Sequence, residues 1–165
     1  MLAALAACSG SSTTYVAHDP CATLAITAVT PTAAQRVALD DALALWRGRG
    51  VLAFDRAVPE GADAPEAAGV APGPTPGATI EIRFDDAAPA FHGIYDPAAD
   101  RVLINRGITD RAALAIVIAH ELGHAFGLVH IAATARVSLM NPGNVVTPPT
   151  DGDQRALEAL WGACR

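Results

Sequence analysis

The eleven residues His120–His130, HELGHAFGLVH, place three histidines and one glutamate inside an otherwise apolar run. His120 and His124 are four residues apart, so on a helix their side chains leave the same face one turn apart. Gly127 allows the chain to leave that helix in a left-handed conformation without a Cβ clash, which brings His130 back towards the other two. The stretch therefore predicts the end of a buried helix followed by a tight return of the chain.

This arrangement of side chains predicts a zinc site. Three neutral imidazoles, from His120, His124 and His130, hold Zn²⁺ at about 2.0–2.1 Å and leave a fourth position for water, as in catalytic rather than structural sites. A bound ion satisfies the imidazoles, and its water satisfies the carboxylate of Glu121, so that all four polar groups can be buried. The alternative interpretation is a core helix that is rich in histidine and binds no metal.

The segments before the motif predict a helix and several strands. Thr32 and Gln35 have the spacing of a capping box, which starts a helix over about 32–47 with an apolar stripe at helical spacing. Strands are predicted at VLAF (51–54), at the alternating ATIEIRF (78–84), and at FHGIY (91–95) and RVLIN (101–105) on either side of the turn DPAAD.

The remaining elements are a loop and two helices. Residues 59–77 are rich in Pro, Gly and Ala and predict a surface loop. A long apolar helix is expected from Thr109 or Asp110 to Gly127, and a final helix over about Asp153–Trp161, capped by Asp151 or Asp153. This order of elements predicts one α+β domain, over residues 21–165, without internal repeats.

Composition excludes two classes of function. The chain has 165 residues, enough for one domain with a real core, and a formal net charge of -6. It therefore has no basic patch for nucleic acid, and no stretch holds the roughly 18 consecutive apolar residues of a membrane-spanning helix. We expect no nucleic-acid partner, and nothing in the sequence indicates an oligomeric state.

The three cysteines point to export. LAAC, ending at Cys8, resembles a bacterial lipobox, so residues 1–8 are interpreted as a signal with lipid attached to Cys8, and residues 9–20 as a flexible tether. The protein is then an exported envelope lipoprotein or a secreted protein; the alternative for residues 1–8 is a secretory remnant or an apolar tail. In an oxidising compartment, Cys21 and Cys164 can form a disulfide worth about 4–5 kcal/mol by loop entropy, unless both stay free thiols.

The chain resembles the metzincin zinc proteases. HELGHAFGLVH fits their signature HExxHxxGxxH, and SLMNP (138–142) lies where they have the Met-turn. Over about residues 31–162 it is most similar to the matrixins. The resemblance implies a small mixed twisted sheet with two long helices and with the active-site helix under the sheet. It implies further that the Met-turn and the C-terminal helix form a small lower subdomain, with a cleft between this subdomain and the upper one. It also implies that Glu121 is the general base and that Met140 lies beneath the zinc without binding it.

The chain departs from the matrixin pattern at several points. Ile131 follows the third histidine where matrixins usually have serine, Pro142 stands where astacins have a tyrosine ligand, and the cysteine switch of matrixin proenzymes is absent. The second, structural zinc of animal matrixins cannot be built, because only His18 and His92 remain; His92 is expected at the rim of the cleft. Calcium binding is left open, since turn and cap roles explain the candidate ligands equally well, namely Asp85, Asp86, Asp96 and Asp100.

The resemblance implies an endopeptidase whose substrate is a peptide or protein. The substrate is expected to lie extended along the strand edge at about Ala90–Tyr95, and the pocket after Met140 to favour an apolar side chain on the leaving-group side. Two alternatives remain at this point. One is a non-catalytic zinc-binding envelope lipoprotein, and the other is a zinc hydrolase of a non-peptide envelope substrate.

Overall fold

The computed structural model describes residues 17–54 and 78–165. The expected lipobox with Cys8, residues 9–16 of the expected tether and the expected loop 59–77 lie outside the described residues. Within the described residues the elements are, in chain order, β1 (Ala25–Ala28), α1 (Ala33–Arg47), β2 (Thr79–Asp85), β3 (Gly93–Asp96), β4 (Arg101–Asn105), α2 (Arg111–Ala125) and α3 (Asp151–Trp161).

The four strands form one mixed sheet in the order β1-β2-β4-β3. β1 and β4 both pair with β2 in parallel, while β3 pairs with β4 antiparallel and forms one edge of the sheet. In β2 the alternation predicted from the sequence is observed, since Ile80, Ile82 and Phe84 are buried and the residues between them are not. The prediction of an α+β domain is therefore confirmed.

The helices are of ordinary length. α1 and α2 have 15 residues each and α3 has 11, close to the average for globular proteins, so the two long helices expected from the resemblance are not seen among residues 17–54 and 78–165. The predicted capping box of α1 is present: the Thr32 side chain accepts from the Gln35 N–H at 3.3 Å, and the Gln35 side chain accepts from the Thr32 N–H at 2.8 Å.

The structure differs from the sequence prediction in three details. Val51–Phe54 forms no strand, and Leu52 N–H and Ala53 N–H both donate to the Pro20 carbonyl. Three of its four apolar side chains are buried without sheet pairing, and Leu52 is exposed. β1 was not predicted, because its sequence, AITA, has one large apolar residue and pairing with β2 decides its conformation. The last helix begins at Asp151 and is capped by Thr150, not by Asp151 or Asp153.

α2 is buried along most of its length. It packs against α1 on one side and against β3 and β4 on another, and 11 of its 15 residues are buried. The indole N–H of Trp46 in α1 donates to the Ala119 carbonyl of α2 at 2.9 Å, which fixes the crossing of the two helices. In the part of the chain that the structure describes, no helix is long and apolar enough to cross a membrane.

A disulfide joins Cys21 to Cys164, with the two Cα atoms 5.1 Å apart. It connects the segment before β1 to the four residues after α3, across 143 residues of chain. The two ends of the domain are thereby held together next to the C-terminal end of α2, where Ala17 and Leu160 both lie close to Gly127.

Candidate metal centre

The end of α2 turns sharply and returns the chain over its last turn. α2 ends at Ala125, and Gly127 follows with φ +94°, in the left-handed region. The Leu128 N–H donates to the Gly123 carbonyl and the Gly127 N–H to the His124 carbonyl, which together form a Schellman motif. This local geometry follows from glycine at the position that needs positive φ.

The turn brings three imidazoles together. The Nε2 atom of His130 lies 3.1 Å from Nε2 of His120 and 3.2 Å from Nε2 of His124. One ring nitrogen from each of the three lies within 4.8 Å of the others, so the cluster can hold a metal ion. It is the one such group of histidine, cysteine and acidic side chains among residues 17–54 and 78–165.

Backbone carbonyls fix the orientation of two of these rings. Nδ1 of His120 lies 2.8 Å from the Leu139 carbonyl oxygen, and Nδ1 of His124 lies 2.8 Å from the Leu128 carbonyl oxygen. A carbonyl can only accept, so both Nδ1 atoms carry the proton and both Nε2 atoms present a lone pair to the centre of the cluster. Burial lowers the pKa of His120 to about 4 and also lowers the pKa of His124, which keeps both rings neutral at pH 7.

Glu121 lines the same cavity as His120 and His130. Its side chain is buried, and this burial raises the pKa of its carboxyl group to about 7, while a hydrogen bond from the Tyr95 backbone acts in the opposite direction. Gly93 in β3 makes room for it: a Cβ at Gly93 would lie 3.0 Å from Cγ and 3.1 Å from Oε1 of Glu121. The edge strand and α2 therefore hold the carboxyl group between them.

Met140 is fully buried and packs against α2. A Cβ at Gly123 of α2 would lie 2.7 Å from Sδ of Met140, so this helix approaches the turn around Met140 closely because position 123 is glycine. The preceding residue, Leu139, supplies the carbonyl that orients His120. The turn thus contributes shape and ring orientation to the site.

Asp153 tethers this turn to α3, whereas the sequence indicates it only as a possible helix cap. Its carboxylate is fully buried and accepts hydrogen bonds from the Ser138 hydroxyl, from the Leu139 N–H and from the N–H and hydroxyl of Thr150. Burial raises the pKa of Asp153, but the hydrogen bonds from Ser138, Thr150 and Leu139 more than offset this, so the pKa lies below its ordinary value. The spacing of Thr150 and Asp153, a capping box, was the available signal.

A cavity of about 190 Å³ opens beside the cluster. Its walls come from the start of β3 and the residues before it, from α2, from His130 and from the chain after Met140: Ala90, Phe91, His92, Gly93, Val117, His120, Glu121, His130, Gly143 and Asn144. The cavity therefore runs between the edge strand and the residues after the Met140 turn.

The two remaining histidines do not join the cluster. His92 lines the cavity, as expected for a residue beside the cleft. His18 is buried, and its Nε2 lies 2.9 Å from Oδ1 of Asp100, a carboxylate that also accepts from the Tyr95 hydroxyl. Asp96 accepts from the Ala98 N–H within the same turn, so both candidate calcium ligands of this turn have structural roles.

No family model matches the chain, and no curated protein matches it.

Proposed function

We propose that this protein is a zinc-dependent endopeptidase of the metzincin type, with a site most similar to that of the matrixins. The observation that carries the proposal is the convergence of three Nε2 atoms beside the buried carboxyl group of Glu121, in an open cavity. Two of these Nε2 atoms carry no proton, because the Nδ1 atom of the same ring faces a backbone carbonyl. A binding site with no chemistry to perform has no need of Glu121, which is not a ligand.

The donor set fits zinc. Tetrahedral coordination with bonds of about 2.0–2.1 Å separates two ligand nitrogens by roughly 3.3–3.4 Å, close to the 3.1 and 3.2 Å between the Nε2 atoms. Imidazoles also suit copper, iron and nickel, so the proposal of zinc rests on the three-histidine set with an adjacent carboxyl group. When bound, zinc lowers the pKa of a coordinated water towards 7 and polarises the carbonyl group that is attacked.

Glu121 is proposed as the general base and then the general acid. A carboxyl group with a pKa near 7 can accept a proton from the attacking water and deliver it to the leaving amine at neutral pH. The Tyr95 N–H holds this group by a hydrogen bond, and the missing side chain of Gly93 leaves room for it. The proton transfer is therefore proposed to need no rearrangement of the Glu121 side chain.

The substrate is proposed to be a peptide bound in an extended conformation along β3. β3 is an edge strand, and residues of its N-terminal approach line the same cavity as His120 and Glu121. Main-chain pairing with an edge strand provides affinity with little demand on sequence. Val117, Gly143 and Asn144 also line the cavity and carry no charge, which favours an uncharged side chain next to them.

The proposal includes an exported location. The Cys21–Cys164 disulfide supports it, because disulfides persist in oxidising compartments and are rare in the cytosol. The same proposal includes a lipid on Cys8, which the mass of the mature N-terminal peptide tests.

The test is metal content and cleavage of casein or gelatin on one purified sample, with and without a chelator. We expect one zinc ion per chain and chelator-sensitive cleavage. Glu121→Gln is expected to keep the metal and to lose about 10²–10⁴-fold in kcat, whereas His124→Ala is expected to lose the metal as well. Full cleavage by Glu121→Gln would refute its role. Zinc without cleavage of any peptide would favour a non-catalytic zinc-binding protein or a hydrolase of a non-peptide substrate.

A further inference from the structure

Two donors from opposite ends of the domain meet at the turn that ends α2. The backbone N–H of His18 donates to the Ala125 carbonyl at 2.8 Å, and the indole N–H of Trp161 donates to the Phe126 carbonyl at 2.9 Å. Carbonyls at the end of a helix have no partner within the helix and must be satisfied from elsewhere. Here both are satisfied by tertiary contacts on consecutive residues.

The disulfide links the segments that provide these donors. Cys21 lies three residues after His18, and Cys164 lies three residues after Trp161. We call His18, Trp161 and the Cys21–Cys164 disulfide the clamp.

The clamp contacts the turn that orients the His124 ring and leads the chain on to His130. The Schellman turn starts at Gly123 and ends at Leu128, whose carbonyl oxygen orients the His124 ring, and the chain then reaches His130 two residues later. His120 is oriented separately by Leu139. A shift of the turn would therefore move His124 and His130 relative to His120, and the three Nε2 atoms would no longer converge.

We propose that the clamp is a positioning device for the metal centre: His18 and Trp161, joined through the disulfide, hold the end of α2 in the geometry that binds the ion. The affinity for the metal then depends on residues outside the histidine cluster. This inference rests on the metal-binding part of the proposed function and is independent of its peptidase part.

The matched pair Trp161→Phe and Trp46→Phe separates positioning from general stability. Both substitutions remove an indole N–H that donates to a carbonyl of the α2 segment and keep an aromatic ring. Trp46 bonds to Ala119, within the helix, where the carbonyl keeps its helical partner, whereas Trp161 bonds to the terminal turn. Trp161 is 37% exposed, so the Trp161→Phe protein is expected to fold, which thermal unfolding checks.

The experiment is competition for Zn²⁺ against a chromophoric chelator, performed on the full chain. Trp161→Phe is expected to raise the zinc Kd by about 2- to 10-fold, and Cys21→Ser/Cys164→Ser by about 10-fold or more, on the scale of other outer-shell contacts. Trp46→Phe is expected to leave the Kd within about twofold of wild type, even where it lowers the melting temperature.

Two results would overturn the inference. One is a Trp161→Phe protein that binds zinc as tightly as wild type. The other is an equal loss of affinity in Trp46→Phe, which would mean that the contact contributes only to overall stability. A wild-type protein that binds no zinc would instead overturn the proposed function itself, so the two failures are distinguishable.

Discussion

Removing the Asp153 carboxylate is expected to destabilise the domain strongly, because four donors converge on it. One oxygen accepts from the Leu139 N–H and from both the N–H and the hydroxyl of Thr150, and the other accepts from the Ser138 hydroxyl. In Asp153→Ala all four donors lose this acceptor. Ser138 and Leu139 are fully buried, so water cannot replace it at those two residues.

The size of the effect follows from these two buried donors. An unsatisfied buried donor costs about 1–3 kcal/mol, so Asp153→Ala is expected to lower the free energy of unfolding by roughly 2–6 kcal/mol. At about 2–4 °C per kcal/mol for a domain of this size, the middle of that range corresponds to a melting temperature lower by roughly 10 °C. In Asp153→Asn the amide oxygen can replace the carboxylate oxygen that accepts from the Leu139 N–H and from the N–H and hydroxyl of Thr150. The expected loss in unfolding free energy is therefore only about 1–2 kcal/mol.

The assay is urea unfolding of the metal-free protein, followed by tryptophan fluorescence. Asp151→Ala is the control, because Asp151 lies in the same turn of α3, is exposed and pairs only with Arg49 among the contacts described for it. Such surface pairs contribute about 0–1 kcal/mol. A loss below about 1 kcal/mol in Asp153→Ala, or equal losses in Asp153→Ala and Asp151→Ala, would refute the assignment of Asp153 as the tether of the Met140 turn.

Three further predictions concern pH and two glycines. Folding lowers the pKa of Asp153, so the contribution of its carboxylate to stability is present above about pH 4 and is lost as pH falls through the folded pKa. The difference in unfolding free energy between wild type and Asp153→Asn should therefore narrow below pH 4. A constant difference from pH 7 to pH 3 would contradict this. Gly93→Ala should displace the Glu121 side chain and reduce kcat about 10-fold with zinc content unchanged. Gly48→Ala, where the new Cβ would be 3.4 Å from its nearest neighbour, is the control. Equal kcat values for the two variants would count against the role of Gly93. Gly127→Ala forces an L side chain to φ +94° and should cost roughly 1–2 kcal/mol in urea unfolding, so an unchanged midpoint would show that the turn tolerates a Cβ.

The local features of the site could be predicted from the sequence. His120 and His124 share a helical face because of their spacing, and Gly127 takes positive φ because the chain must turn there without a Cβ. The capping box at Thr32 is equally local, since its partners are three residues apart. Each of these follows from geometry within one or two turns of helix, which neighbouring residues alone determine.

Contacts between distant segments decided what the sequence could not. VLAF, of which Val51, Ala53 and Phe54 are buried, is not a strand and AITA is one, because sheet pairing depends on which segments become neighbours and not on local hydrophobicity. The groups that orient the imidazoles and the carboxyl group, such as the carbonyl of Leu139 and the N–H of Tyr95, belong to the backbone and carry no mark in the sequence. The local sequence thus specifies which side chains form the site. Their orientation depends on tertiary packing, because this packing brings backbone groups from distant segments against them.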